Sequence, residues 1–379
     1  IQALQKFSKI DIIIITDPEK NEINIPFENV IHVKTPDNFD PHQSAIFLKT
    51  SIHRHIDTTN RYCYLDTDMI ARSDRVNHVF DTYTSPISFG RDYVDIQHFS
   101  PFAMHCGCKE KFAEFEKKLT RLLQKHDPNY HRLRDPENRK KITRIEQLSK
   151  NFQTDKRWAL KRMWKRWFDR AHIHLTDFTH YVTAKSGYTW DNESLTWYDE
   201  VGEIIYSPDD SHKEKIESEG GFKFDSDRQT WKTLSGLDVQ DTQCSHLQNA
   251  IFHKSGIRIP DRWQHWNGGL FLFDSQSEVF LEDWHTLTMD ILTDPTWVNR
   301  DQGTLAATVW KHRLQDHQII PSEYNFLFTP RFRNARYLGK NKFSSTGNTI
   351  VRPAFLHLID GITDLTKIFW GINDEEKSS

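Results

Sequence analysis

The chain has 379 residues, with 50 Lys and Arg against 53 Asp and Glu, a formal net charge of −3, 37% hydrophobic residues and, unusually, 12 Trp and 20 His. This is a globular composition, long enough for a full core or two. It excludes a membrane-spanning helix, because no run of about 18 apolar residues occurs. It also excludes a disulfide scaffold, because the four cysteines (Cys63, Cys106, Cys108, Cys244) are too few.

In chain order, residues 11–16 (Asp-Ile-Ile-Ile-Ile-Thr) are a β-branched run closed by Asp17-Pro18, a buried strand and a turn. Val30–Val33 form a second short strand. Asp40-Pro41 opens a helix expected over 41–57, with Ala45, Phe47, Leu48 and Ile52 on its apolar face. Tyr62–Leu65 is a third strand, and at its carboxyl end stand Asp66 and Asp68 with only Thr67 between them. Two carboxylates crowded at a strand end repel each other unless a cation neutralises them, and oxygen ligands suit Mg²⁺ or Mn²⁺. Strands at this spacing, joined by helices, predict an α/β fold with a mainly parallel, Rossmann-like sheet, whose ligands bind beyond the carboxyl ends of the strands. Residues 86–90 read as a further strand.

Composition changes near 109. Residues 121–170 hold sixteen Lys or Arg against six Asp or Glu, and Trp158, Trp164, Trp167 and Phe168 lie among the basic residues of 156–170. Such a segment can lie on an anionic membrane surface or track a polyanion such as DNA, or pack its Trp stripe on its own domain. Tyr188-Thr-Trp190-Asp191…Thr196-Trp197 then repeats as Phe222-Lys-Phe224-Asp225…Thr230-Trp231, an aromatic β-hairpin copied at an offset of 34 residues. Residues 109–262 therefore read as an α+β insertion. None of the cysteines has zinc-type spacing, and reduced thiols in a cytoplasmic compartment are the expectation.

The α/β pattern resumes at Trp266-Asn267-Gly268-Gly269-Leu270-Phe271-Leu272-Phe273-Asp274, an apolar strand preceded by two glycines that allow close backbone approach. A helix over 276–292 is expected to turn Val279, Phe280, Trp284, Leu287 and Ile291 inward. Asp301-Gln302 opens another helix, over 301–313, where Asp301 also suits an N-cap. Tyr324-Asn325 and His357…Gly361 follow.

Together, Asp66/Asp68, Asn267/Gly269, Asp301/Gln302, Tyr324/Asn325 and His357/Gly361 stand in the order of the motifs of the retaining GT-A glycosyltransferases, in the family that includes bacterial lipooligosaccharide galactosyltransferases and glycogenin. The chain resembles that family over about 11–108 and 263–370. The resemblance implies a GT-A domain in two parts, 1–108 and 263–370, with the 109–262 insertion a candidate acceptor-binding module and 371–379 a tail. It implies that Asp66, Asp68 and His357 ligate Mn²⁺ or Mg²⁺ on the diphosphate of a nucleotide-sugar donor, UDP-linked in the family's manner. Asn267, Asp301 and Gln302 would hold the donor sugar, Gln302 nearest the reacting face, with Gly268, Gly269, Lys49, Gly361 and Lys367 completing the donor site. Transfer to a carbohydrate or glycoconjugate acceptor would retain the anomeric configuration by front-face substitution.

Three departures accompany the resemblance. Lys49 replaces a family Arg and cannot make a bidentate contact. The late motif is His-x-x-x-Gly, with Lys367 and Trp370 standing loosely for the family's Lys-Pro-Trp. The family's first βα unit has no counterpart before Ile12, so, with Ile1 in place of Met, the expectation is either a missing upstream piece or a base bound in a different way. Two other readings remain open: an inverting enzyme with Asp274 or Asp360 as base, and a phage- or virus-associated protein binding carbohydrate or nucleic acid on a degenerate scaffold.

Overall fold

Two sheets meet where the chain passes from one short strand, β3 (Tyr62–Leu65), to the next, β4 (Met69–Ala71). A computed structural model describes residues 1–127, 129–143, 145, 175–176, 179–180, 188–191, 196–207, 211–239, 241–328, 336–338, 341–344 and 350–358. The chain divides into two compact units, Ile1–Lys109 with Gln243–Ser379, and Glu110–Thr242. Residues 243–262, grouped with the insertion on composition, thus belong to the first unit.

The first unit is mixed α/β. Its strands β1 (Ile14–Thr16) and β2 (Val30–His32) pair in parallel. The second sheet places β13 (Gln264–Phe273) between β3 and β5 (Ile87–Asp95), antiparallel to both. A third sheet has order β14 (Phe326–Leu327), β18 (Phe355–His357), β4, the first pair parallel and the second antiparallel. The expected mainly parallel sheet is therefore corrected: among the described residues the central ladders are antiparallel. A parallel neighbour needs a long crossover, and the strand that fills the gap between β3 and β5 is instead β13, which returns from far along the chain in the opposite sense. No local pattern announces that order.

The helix Pro41–Thr50 starts as its sequence predicts. Asp40 Oδ1 accepts from Gln43 N–H at 2.7 Å, and Gln43 Oε1 accepts from Asp40 N–H at 3.0 Å, a complete capping box with Pro41 at the first turn. Its inner face differs from expectation. Ser44, Ile46, Lys49 and Thr50 are buried, whereas Ala45 is exposed and Phe47 and Leu48 are only half-buried. The helix is turned by Lys49, whose ammonium is drawn inward by carboxylates. It also ends earlier than expected, passing into a 3₁₀ turn at Ile52–Arg54.

Behind β13 lies the main core. Phe89, Phe271, Phe273, Phe280, Trp266 and Trp284 pack together with Leu281, Leu305 and Val309. The helix Glu278–Ile291 contributes Phe280, Trp284 and Ile291 to buried positions, but Val279, expected inward, is 70% exposed. The helix Arg300–Lys311 packs on it. A second cluster joins the helices Ile96–Ala103 and His246–Ser255 through Phe99, Ala103, Leu247 and Ile251.

In the second unit, Leu119 of the helix Cys108–His126 packs with Ile216, Phe222, Trp231 and Val239. Both copies of the repeat form antiparallel hairpins in the same register: Trp190 opposite Trp197, and Phe224 opposite Trp231. The Phe224 and Trp231 rings meet edge-on, with centroids 5.1 Å apart. The Trp-rich basic segment 156–170 lies outside the described residues, as do Asp360, Gly361, Lys367 and Trp370. Among the described residues no helix is long and apolar enough to cross a membrane.

Candidate functional site

Asp66–Asp68 is the stretch in which the chain leaves one sheet and enters the next. Asp66 N–H donates to the Gly269 carbonyl of β13 at 2.8 Å, and Leu358 N–H donates to the Asp68 carbonyl at 3.1 Å, just past the end of β18. One aspartate is thus tied to the glycine strand and the other to the His357 strand. As a result, Asp66, Asp68 and His357 converge, with ligand atoms within 4.8 Å of one another.

The two carboxylates have different surroundings. Asp66 Oδ1 accepts from the Tyr64 hydroxyl at 2.6 Å, and both Asp66 oxygens lie 3.3 Å from Lys49 Nζ. Lys49 also meets Asp301 Oδ2 at 2.9 Å, and its side chain is only 6% exposed. Burial by itself would lower the Lys49 pKa, but Asp301 and Asp66 outweigh burial and raise it. Conversely, burial would raise the Asp301 pKa, and Lys49 outweighs it and holds the carboxyl below its usual range. Asp66 and Asp301 thus share the buried Lys49 ammonium, a group costly to break from either side. Burial first, and then Asp66, push the Tyr64 phenol well above its usual range, so it remains a donor.

Asp68 is the freer carboxylate. Its Oδ1 is buried without a hydrogen-bond partner and faces His357 Nε2 at 3.3 Å. A relay orients that imidazole. The Asp92 carboxylate accepts from Asn267 Nδ2 at 3.3 Å, which turns Asn267 Oδ1 toward Asn325 Nδ2 at 3.0 Å. Asn325 Oδ1 then faces His357 Nδ1 at 2.9 Å and must accept its proton. In the neutral ring this leaves a lone pair on Nε2, aimed at Asp68. That contact is favourable either with a proton on Nε2, as a His357–Asp68 ion pair, or with a cation between the two atoms, and a histidine anchored through its other nitrogen is the usual form of a metal ligand. Two carboxylates and one imidazole fit Mn²⁺ or Mg²⁺ by donor type.

β13 shapes the neighbouring wall. Its pairing with β5 steps from Asn267 opposite Gly90 to Phe271 opposite Phe89, so residues 268–270 bulge out of that ladder. Gly268 N–H donates to Gln302 Oε1 at 3.2 Å, and Gly269 N–H donates to Asn267 Oδ1 at 3.0 Å. The space left by the missing side chain at Gly269 is filled by the His357 ring: a Cβ would sit 2.3 Å from His357 Cε1. Asp301 lies within the first turn of the helix Arg300–Lys311 with Asn299 at the cap position, and its carboxylate serves Lys49 while also accepting from Gln302 N–H.

The structure thus gathers Asp66, Asp68, His357, Asn267, Gly268, Gly269, Asp301, Gln302 and Lys49 into one region, while Gly361 and Lys367 fall outside the described residues. Asn325 gains a definite position behind His357. Two contributors escaped the sequence reading. Tyr64 reads there as a strand residue, and Asp92 stands in Arg91-Asp92-Tyr93, a stretch with no motif. Only the β5–β13 pairing brings Asp92 under Asn267. Compared with protein-family models, with curated proteins and with solved structures, the chain matches none of them.

Proposed function

We propose that the chain is a metal-dependent glycosyltransferase of the GT-A type, using a nucleotide sugar, UDP-linked by preference, and retaining the anomeric configuration. The observation that carries this reading is the convergence of Asp66, Asp68 and His357 from two sheets, with an Asp68 oxygen facing an imidazole held in place through its other nitrogen by Asn325. A divalent cation held there would supply Lewis-acid stabilisation of a leaving diphosphate. The chain's own groups would do the rest. Gln302, whose Oε1 accepts from Gly268 N–H, offers its Nε2 to the hydroxyls of one hexose, while Asn267, buried with its amide engaged by Asp92, Gly269 and Asn325, supports that wall through the relay to His357. Lys49 pairs with Asp66 and Asp301 beside them and holds the Asp301 carboxyl below its usual range. The acceptor hydroxyl would give its proton to the departing phosphate on the same face.

Retention is favoured over inversion because Asp274, the described carboxylate weighed as a base, is committed elsewhere. It accepts from Tyr83 Oη at 2.8 Å and from Gln276 N–H at 3.0 Å, capping the turn Ser275–Ser277. The test is release of nucleoside diphosphate from a panel of nucleotide sugars with Mn²⁺ or with EDTA. Slow Mn²⁺-dependent hydrolysis of one donor, abolished by Asp68→Asn, is expected. No hydrolysis of any donor, together with no thermal stabilisation by UDP plus Mn²⁺, would refute the proposal and favour a binding protein on this scaffold.

A further inference from the structure

We propose that Cys106, Cys108, Cys244 and His246 form a structural zinc site, separate from the carboxylate–histidine cluster. Three Sγ atoms and one imidazole nitrogen lie within 4.8 Å of one another. Tetrahedral zinc, with Zn–S of about 2.3 Å and Zn–N of about 2.0–2.1 Å, requires S···S edges of about 3.8 Å and S···N edges of about 3.6 Å. Cys106 Sγ and Cys244 Sγ are 3.8 Å apart, and Cys108 Sγ and His246 Nδ1 are 3.6 Å apart. These are two opposite edges of one tetrahedron, and both have the length that zinc needs.

The surroundings are built for such a site. The ligands come as two i, i+2 pairs, Cys-Gly-Cys and Cys-Ser-His. Gly107 has φ +71°, a left-handed conformation that lets the two flanking sulfurs turn to one side. Leu247 N–H donates to Ser100 Oγ at 2.9 Å, leaving the Ser100 proton for Cys244 Sγ at 3.1 Å. The backbone N–H of His246 also donates to the Cys244 sulfur. Donors aimed at a sulfur orient it, as the outer shell of a metal site does. The two segments are held by helix packing that does not need the ion, through Phe99, Ala103, Leu247 and Ile251.

Sequence spacing concealed the site, because Cys106 and Cys244 are 138 residues apart. All four ligands belong to the first unit, close to Lys109 and Gln243, where its two segments end. Binding would release the thiol protons to solvent and clip together the ends of a long loop, restricting the unfolded chain. Thiolates select zinc, whereas the oxygen-rich cluster at Asp66 and Asp68 selects Mn²⁺ or Mg²⁺, so the two sites are separable by metal.

The experiment uses the full chain purified under reducing conditions. Metal analysis with native mass spectrometry is expected to find one zinc per chain, retained by Asp68→Asn and lost in Cys108→Ser. Replacing zinc with Co²⁺ in the unaltered chain is expected to give a sulfur-to-cobalt charge-transfer band with intense tetrahedral d–d bands, a readout that does not depend on whether the variant folds. A chain that takes up no Zn²⁺ when it is added, a cobalt spectrum without charge transfer, or a Cys106–Cys244 disulfide in the reduced preparation would each overturn the proposal.

Discussion

Replacing Gly269 with alanine probes the site through a single methyl group. The Gly269 carbonyl accepts from Asp66 N–H at 2.8 Å and its N–H donates to Asn267 at 3.0 Å, so the backbone is held on both sides. A Cβ there would meet His357 Cε1 at 2.3 Å and Nδ1 at 3.0 Å. Carbon atoms prefer separations of about 3.5–4.0 Å, so the buried imidazole must retreat by about 1 Å or more. That movement strains the bond from Nδ1 to Asn325 and carries Nε2 away from its place opposite Asp68. Overpacking of this kind costs about 1–3 kcal/mol, measurable by urea denaturation. Disturbing the support of a metal-ligating histidine typically costs about 10–100-fold in affinity, measurable by calorimetric titration with Mn²⁺. Gly268→Ala is the control: its Cβ would meet Gln302 Nε2 at 3.2 Å and does not reach His357. This variant should keep its Mn²⁺ affinity while disturbing Gln302. Wild-type stability and Mn²⁺ binding in Gly269→Ala would refute the reasoning.

Two further outcomes follow from buried charge. Lys49→Met leaves Asp66 and Asp301 facing each other without a cation, and breaking such a buried group should cost about 3–5 kcal/mol near neutral pH. In the wild type the depressed Asp301 pKa contributes stability that is present above about 3.9, the unfolded value, and is lost as pH falls through the folded value. In the variant the sign reverses, because protonation relieves the repulsion. Urea denaturation at pH 7 and pH 5 should show the deficit shrinking on acidification, and an equal deficit at both would count against the triad. His265 is fully buried, stacks on Phe99 at 4.3 Å, and burial lowers its pKa to about 3. Burial likewise takes His285 to about 4. Both remain neutral in the fold while the unfolded chain protonates them, so stability is full above about 6.5 and falls by up to about 1.4 kcal/mol per pH unit per group below it. His265→Leu should remove its own share of that slope, up to about 1.4 kcal/mol per pH unit between pH 6 and pH 5, and an unchanged slope would show that His265 is not the sensor.

Local rules carried much of the reading. Asp40-Pro41 opened a helix because a capping box and a fixed proline φ are properties of neighbouring residues. The 34-residue repeat resolved into two hairpins with the same register because alternation and turn spacing are local as well. Asp66, Asp68, Asn267, Gln302 and His357 were legible as a set of residue types in an order, and the tertiary structure then supplied their distances.

Long-range pairing was not legible. The antiparallel place of β13 between β3 and β5, the burial of Lys49 and the position of Asp92 under Asn267 each depend on which strand fills a gap, and backbone hydrogen bonding accepts either direction with the same residues. Cys106 and Cys244 illustrate the same limit, since the ends of a 138-residue loop meet only when the helices beside them pack. The sequence by itself determined which chemistry the chain can hold: carboxylates at a strand end and amides beside glycine. Only the tertiary structure decided which of those groups share a site, because proximity across the fold is set by the packing of apolar faces that are distant along the chain.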